Sequence, residues 1–341
     1  MKFNLRYQST GKIYPYIEPL SHLMYLGYFR KVHLHNIPGV PSDKPVLLAA
    51  NHPTAFVDPI LLCSYLEPPI YNMTRGDIFS KPFYRKLMES VNMFPVFRVR
   101  DGYNGRDRND EVFDYCVDKL HHKRVVTIYV EGEHHLEKRV RPAQKGIARI
   151  AFAACERHGL DDLLIIPAGC NYVAGDRPRD ETMVNIGEPI PVKNYWDDYQ
   201  RDPASAIQRL CKDIENALKT VCYHIESEAD DDLAEKLLTL HRSDHPTAPL
   251  PIVVYKDSRF ANEKAVLDRL NALSENEKNA LREKTERYFS ELEKAGLDDA
   301  ALMNPRWGNR IWVWFFIAGL LPWLTGYLSS WPLIRLSKYV A

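Results

Sequence analysis

The amino-acid sequence predicts an α/β fold with a largely parallel central sheet flanked by helices, followed by a C-terminal helical arm and an apolar membrane-anchoring segment. Between residues 32 and 171, short apolar runs alternate with segments of helical periodicity, as in repeated strand–helix–strand units. Several of these runs end in polar residues or glycine, where the ligand sites of such sheets usually lie. The predicted strands are 32–35, 46–50, 70–74, the run from 92 that ends in two arginines, 125–130 and 163–166. The predicted helices are the one after Asp58, 79–91, 111–122 and 144–157.

Changes in composition predict four regions. Residues 1–30 form an aromatic segment whose helical part is confined by prolines to about 20–30, and residues 31–245 form the α/β domain. The proline-rich stretch 244–251 is the predicted linker. Residues 246–300 form a charged helical arm, in which a capping box at 274–277 begins the second helix and Gly296 ends it. Residues 301–341 contain the apolar membrane-associated segment.

The overall composition excludes several classes of protein. The 341 residues contain 45 Lys and Arg against 45 Asp and Glu, so no excess of positive charge favours nucleic acid, and we expect no nucleic-acid partner. The six cysteines contain no Cys-x-x-Cys pair, which indicates neither a zinc site nor a disulfide framework. We therefore expect no metal and no bound cofactor.

The segment 311–334 contains no charged residue and is long enough to cross a bilayer. Glycines and prolines break it, however, and Trp and Tyr occur along its whole length rather than at its ends. This pattern favours a bent interfacial or membrane-embedded anchor over a spanning helix or a buried soluble helix. For residues 13–30, a membrane-facing helix and a helix packed on the core are equally compatible with the sequence. The expected location is a membrane surface, on the cytoplasmic face of the inner or cell membrane.

The clearest candidate for catalysis is the stretch from Asn51 to Asp58. His52 follows the predicted strand 46–50, and Asp58 lies in the first turn of the next helix, which can bring the carboxylate back to the imidazole. A histidine held by an aspartate can remove a proton from an alcohol. The spacing by itself is weak, because many His-x5-Asp pairs are surface coincidences; its place at a strand end strengthens it.

Other strand ends carry candidate binding residues. Arg98 ends an apolar strand in a basic region, and the guanidinium fork suits phosphate. Glu131 and Gly132 follow the strand 125–130, and Lys145 lies in a second basic patch. The adjacent histidines 134 and 135 do not predict a metal site, because neighbouring histidines rarely converge on one ion.

Four stretches in this order resemble the glycerolipid acyltransferases, which acylate glycerol-3-phosphate and 1-acylglycerol-3-phosphate. They are His52-x5-Asp58, the run ending in Arg98, Glu131-Gly132, and Pro167 after an isoleucine. Asn51 matches the residue before the family's histidine. Most members place four residues between the histidine and the aspartate, whereas five intervene here, as in the fungal-type glycerol-3-phosphate/dihydroxyacetone-phosphate branch. Two further departures are Glu133, where the family has threonine or a small residue, and Asn92, where many members have glycine.

The resemblance implies an O-acyltransferase of phospholipid biosynthesis. His52 is then the general base, Asp58 orients it, and Arg98 binds the acceptor phosphate, with Lys145 as a second phosphate candidate. Asn51, Glu131 and Gly132 contribute to the acceptor site, and Pro167 shapes the acyl-side wall. The implied partners are membrane lipids, a glycerol-phosphate-type acceptor, and acyl-CoA or acyl carrier protein as the thioester co-substrate.

Three alternatives remain open from the sequence. The acceptor can be another lipid, such as an amino-acid-based lipid. The chain can instead be a catalytically inactive, membrane-anchored lipid-binding protein, or a hydrolase in which the same pair activates water.

Overall fold

A computed structural model describes residues 13–54, 57–96, 105–175, 178–303, 317–320 and 323–324. Its central feature is one sheet with the strand order β4-β3-β5-β2-β6-β7-β1-β9, and β8 pairs with β6. The strands are β1 Lys31–His35, β2 Val46–Ala50, β3 Ile70–Arg75, β4 Met93–Val96, β5 Val125–Tyr129, β6 Leu164–Tyr172, β7 Glu181–Ile186, β8 Ile190–Pro191 and β9 Val253–Tyr255. The α-helices are α1 Tyr14–Tyr28, α2 Val57–Tyr65, α3 Pro82–Ser90, α4 Gly105–His121, α5 Gly146–His158, α6 Trp196–Arg201, α7 Pro203–Val221, α8 Asp231–Asp244, α9 Arg259–Ala272, α10 Glu275–Ala295 and α11 Asp299–Met303.

The sheet is largely parallel, which confirms the predicted α/β class. Strands β4, β3, β5, β2 and β6 run in one direction. The strand β7 is antiparallel to β6, and β1 and β9 run parallel to β7. The predicted strand 32–35 is confirmed as β1. It lies next to the edge strand β9, two positions beyond β6, and is not a neighbour of β2.

Two hydrophobic clusters cover the two faces of the sheet. Alternate residues of β2 point to opposite faces, so that Leu47 and Ala49 join one cluster while Leu48 and Ala50 join the other. Helices α4, α5 and α7 cover the first face, and α1 and α2 cover the second. Because both faces are covered, the parallel strands read as continuous apolar runs.

The first helix is longer than the sequence predicted. It begins at Tyr14 rather than near residue 20, with Pro15 in its first turn and Pro19 in its interior. A first-turn proline costs little, since that N–H has no partner within the helix. The interior proline removes one helix hydrogen bond, which the packing of Tyr25 and Phe29 into the core offsets.

The chain divides into two compact units. The first comprises Met1–Glu235 and Thr247–Glu275, and the second comprises Lys236–Pro246 and Asn276–Ala341. This division does not coincide with the predicted boundary at residue 245, because β9 adds to the sheet beside β1 and α9 packs with the first unit. The predicted start and end of α10 agree with the structure, and Gly296 has a positive φ of 66° at its end.

A buried network of charged groups joins β1 to the segment that follows the α/β units. The carboxylate of Glu181 lies 2.7 Å from Arg30, 3.4 Å from Arg259 and 3.7 Å from the imidazole of His33. The other ring nitrogen of His33 contacts Asp257. His33 and Glu181 are almost fully buried, so each depends on these partners for compensation of its charge.

The apolar segment 311–334 lies mostly outside the described residues. Its described parts, 317–320 and 323–324, are helical and expose apolar side chains. Among all the residues that the structure describes, none belongs to a helix long and apolar enough to cross a membrane.

Candidate active site

The carboxyl ends of β2, β5 and β6 meet at one edge of the sheet. Ala50 lies opposite Tyr129 of β5 and opposite Ala168 of β6 in the parallel register. The residues that follow β2 and β5, among them His52 and Glu131, therefore lie close together. This is the edge where open α/β sheets bind their ligands.

His52 and Asp58 form a hydrogen-bonded pair at this edge. The Nδ1 atom of His52 lies 2.9 Å from the Oδ2 atom of Asp58. An ionised carboxylate only accepts hydrogen bonds, so Nδ1 carries the proton and Nε2 is the basic nitrogen. A spacing with five intervening residues is thus compatible with direct contact between the two side chains.

Asp58 is completely buried, and both of its carboxylate oxygens accept hydrogen bonds. In addition to His52, its oxygens accept hydrogen bonds from the Thr54 amide at 2.9 Å, the Thr54 hydroxyl at 2.8 Å and the Tyr172 hydroxyl at 2.6 Å. Burying a carboxylate is costly unless donors compensate it, and four donors do so here. The carboxylate is therefore held in one orientation toward the imidazole.

Tyr129, the last residue of β5, supports the imidazole from one side. Its ring stacks on that of His52 with a centroid separation of 4.0 Å and an interplanar angle of 24°. The ring of His134 meets His52 edge-on at 6.3 Å. Because a carboxylate bond and a stacking face both constrain it, the imidazole has little rotational freedom.

Glu131 lies beside this pair in an unusual electrostatic environment. Burial raises the pKa of its carboxyl to about 7, although hydrogen bonds from the backbone amides of Arg141 and His52 act in the opposite direction. The Arg141 amide donates to Oε1 at 3.1 Å. Glu131 therefore exchanges a proton near neutral pH, as groups at functional sites often do.

Gly132 has a positive φ of 76°, a conformation that favours glycine. A Cβ atom built there would lie 3.6 Å from the Gln144 side chain, so the backbone angle, rather than a lack of space, calls for glycine. Lys145 follows Gln144 as the exposed residue before α5. Lys145 thus follows a residue that faces Gly132, and the predicted substrate contacts of both stay predictions.

Two other predicted site residues, Asn51 and Pro167, make contacts within the sheet. The amide of Asn51 donates to the Cys170 carbonyl at 2.9 Å and accepts from the Cys170 amide at 2.7 Å. It thereby fastens the end of β2 to β6. Pro167 is buried within β6, and its ring faces Gly187 at the position a Cβ atom would occupy. These contacts show structural roles; the predicted substrate contacts of Asn51 and Pro167 stay predictions.

A cleft with charged walls lies next to the pair. Its lining includes Asn51, Pro53, Glu131, Lys138 and Arg139. The imidazole of His52 is not among its lining groups. Arg98, the predicted phosphate ligand, lies outside the described residues.

No cluster of side chains in the described ranges could hold a metal ion. Sequence reasoning missed three residues that hold the pair, namely Thr54, Tyr129 and Tyr172. Thr54 was in principle visible as a hydroxyl within the motif. Tyr172 gave no signal, because its contact with Asp58 joins residues 114 positions apart.

Comparison with known proteins identifies the domain that carries this site. Residues 31–171, which carry His52, Asp58 and Glu131, match the family model described as Acyltransferase. This part of the chain is therefore an acyltransferase domain. The chain is 28% identical over 190 residues to glycerol-3-phosphate O-acyltransferase 2 of Saccharomyces cerevisiae, covering 54% of this chain and 25% of the yeast protein.

Two more similarities extend the comparison. Glycerol-3-phosphate O-acyltransferase 1 of the same yeast is 23% identical over 153 residues, covering 44% of this chain and 20% of that protein. The chain thus spans about a quarter of the length of the curated relatives it matches. The crystal structure of the 1-acyl-sn-glycerophosphate (LPA) acyltransferase PlsC from Thermotoga maritima is similar with a TM-score of 0.42 and 13% identity, covering 60% of this chain and 80% of that chain.

Proposed function

We propose that this acyltransferase domain transfers a fatty acyl group from a thioester, acyl-CoA or acyl carrier protein, to a hydroxyl of glycerol-3-phosphate or a closely related glycerol-phosphate acceptor. The observation that carries the proposal is the 2.9 Å contact between His52 and Asp58 at a sheet edge within the matched residues. The yeast relatives named as glycerol-3-phosphate O-acyltransferases support this choice of acceptor.

The proposed reaction needs one base and no covalent enzyme intermediate. Nε2 of His52 takes the proton of the acceptor hydroxyl as its oxygen attacks the thioester carbonyl. The tetrahedral intermediate collapses with loss of the thiolate, which takes the proton from the imidazolium. Asp58 stabilises the imidazolium between the two transfers and holds the reactive tautomer.

The remaining site residues have proposed roles at the acceptor. Glu131 and Gly132 form its wall next to His52, and Arg98 and Lys145 bind its phosphate. Lys145 lies beside Gln144, whose side chain faces Gly132, which supports this role. Replacing Arg98 or Lys145 by Ala should raise KM for phosphate-bearing acceptors while leaving KM for the thioester unchanged.

The decisive experiment measures thiol release by purified protein with acyl-CoA or acyl carrier protein and each acceptor. Glycerol-3-phosphate, dihydroxyacetone phosphate, 1-acylglycerol-3-phosphate and an amino-acid-based lipid are compared. His52→Ala should lower turnover by at least ~10²- to 10⁴-fold, with an unchanged circular dichroism spectrum. His158→Ala, at the opposite end of α5, is the matched control and should retain activity. Wild-type-like transfer by His52→Ala would refute the mechanism.

The same assay separates the alternatives. Release of free fatty acid without any acceptor would identify a hydrolase. Binding of lysolipid without turnover of any thioester would identify an inactive lipid-binding protein.

We also propose that α1 contacts a membrane surface. Tyr16, Leu20, Leu23 and Met24 form one stripe at helical spacing and are between 55% and 76% exposed. The opposite side of the helix packs on α2 through Tyr25. An exposed apolar stripe of this kind is typical of an interfacial helix.

Vesicle flotation tests this contact. Leu20→Asp combined with Leu23→Asp should reduce the fraction of protein that floats with phospholipid vesicles, whereas Leu250→Asp, at another exposed leucine, should not. Equal flotation of both variants and the wild type would refute a role for α1.

A further inference from the structure

Tyr172 donates a hydrogen bond to the carboxylate oxygen of Asp58 that does not contact the imidazole of His52. The Oδ2 atom of Asp58 accepts from His52 and from the Thr54 amide, whereas Oδ1 accepts from the Thr54 hydroxyl and, at 2.6 Å, from the Tyr172 hydroxyl. Thr54 belongs to the same loop as the pair. Tyr172 is thus the one donor to Asp58, among the described residues, that comes from a different strand.

The sheet fixes the position of this donor. Tyr172 is the last residue of β6 and pairs with Thr182 of β7. Its ring lies 6.2 Å, between centroids, from the ring of the buried Phe29. The side chain is almost fully buried, and burial followed by the charge of Asp58 raises the pKa of its hydroxyl well above the ordinary value. The group is therefore a neutral hydrogen-bond donor throughout the working pH range.

Among the described residues, the other donors to Asp58 are His52 and Thr54, which belong to the same strand–loop–helix unit as Asp58 itself. Without Tyr172, Asp58 would be oriented only by its helix and by Thr54, four residues before it. A small rotation of the carboxylate would then weaken the bond to Nδ1 and admit the tautomer that carries its proton on Nε2. In that tautomer Nε2 already carries a proton and cannot accept one from the acceptor hydroxyl.

We propose that Tyr172 is a positioning residue for the catalytic pair: its hydroxyl orients Asp58, which in turn keeps the proton of His52 on Nδ1. The proposal rests on the acyl-transfer function proposed above. Tyr172 does not touch the acceptor or the thioester in this scheme, so its loss should lower kcat and leave both KM values nearly unchanged.

Tyr172→Phe is the direct test, because it removes the hydroxyl and keeps the ring. A hydrogen bond to a charged group corresponds to a decrease in kcat of about 10- to 100-fold. Tyr65→Phe is the matched control, since the Tyr65 hydroxyl is also buried and has no hydrogen-bond partner in the described part of the chain. It should keep wild-type kcat.

A double-mutant cycle with Asp58→Asn separates positioning from a general loss of stability. If Tyr172 acts through Asp58, Tyr172→Phe should cause little further loss in the Asp58→Asn background. Wild-type kcat in Tyr172→Phe, or a loss that multiplies fully with that of Asp58→Asn, would overturn the proposal.

A second measurement does not depend on turnover. The ¹⁵N shifts of labelled histidine, assigned to His52 by difference from His52→Ala, report which ring nitrogen carries the proton. The fraction of the Nδ1–H tautomer should fall in Tyr172→Phe and stay unchanged in Tyr65→Phe. If no acceptor supports transfer but this shift occurs, the proposed function fails and the positioning role stands. An unchanged tautomer ratio overturns the positioning role whatever the activity.

Discussion

The raised pKa of Glu131 predicts a measurable dependence of stability on pH. Burial holds the native pKa at about 7, against an ordinary value of 4.5. The native state therefore binds the proton more tightly than the unfolded state does. The stability linked to this group is present below about pH 4.5 and is lost as the pH rises through about 7.

The magnitude follows from the shift. A difference of about 2.5 pKa units corresponds to about 3 kcal/mol. Glu131→Gln keeps an oxygen that can accept from the Arg141 amide but does not titrate. Relative to this variant, the wild type should lose about 3 kcal/mol of unfolding free energy between about pH 4.5 and pH 8.

Urea unfolding at these two pH values, followed by tryptophan fluorescence, provides the measurement. The comparison uses the difference between wild type and variant, because other groups of the protein also titrate and cancel in it. Glu67→Gln, at an exposed position just after α2, is the control substitution and should show the same pH dependence as the wild type. If Glu131→Gln and the wild type also change in parallel, the buried carboxyl does not have a raised pKa and the reasoning fails.

Three further predictions concern stability. Gly169→Ala should lower the free energy of unfolding by about 3 kcal/mol and the urea midpoint with it, because a Cβ atom there would lie 2.1 Å from the Val221 carbonyl oxygen; a midpoint within error of the wild type would contradict this geometry. Asp202→Ala should cost about 1 kcal/mol in thermal unfolding, since that side chain caps α7, and an unchanged Tm would show that the cap contributes nothing. Burial alone would raise the pKa of Glu181, but His33 and other donors hold it at about 2. The destabilisation caused by Glu181→Gln should therefore be about 3 kcal/mol at neutral pH and should disappear as the pH falls from about 4.5 toward 2; a pH-independent difference would argue against the shift.

The parts of the fold that could be predicted are the strands and helices whose hydrophobic pattern is visible within a short stretch of sequence. The strands β2 and β5 are buried on both faces, so they read as unbroken apolar runs with polar ends. The contact between His52 and Asp58 was also predictable, because both belong to one strand–loop–helix unit. The family resemblance assigned roles to residues at other strand ends, and those roles stay predictions.

The features that could not be predicted are contacts between residues that lie far apart in the sequence. The sequence of β1 alternates like a strand but does not record that β7 and β9 are its neighbours. Tyr172 reaches Asp58 only because β6 extends beyond the edge where β2 ends. The early start of α1 was missed because its packing on α2 offsets the loss of one hydrogen bond at Pro19, and packing of that kind is not visible in a local pattern.

The buried ionic network at β1 has a consequence for excising this domain. The family match ends at residue 171, yet the charges of His33 and Glu181 are compensated by Asp257 and Arg259. A fragment cut after α8 would retain two buried charged groups and would lose Asp257 and Arg259, keeping Arg30 beside Glu181. The smallest piece expected to fold independently therefore extends through α9, about a hundred residues past the last residue that the family shares.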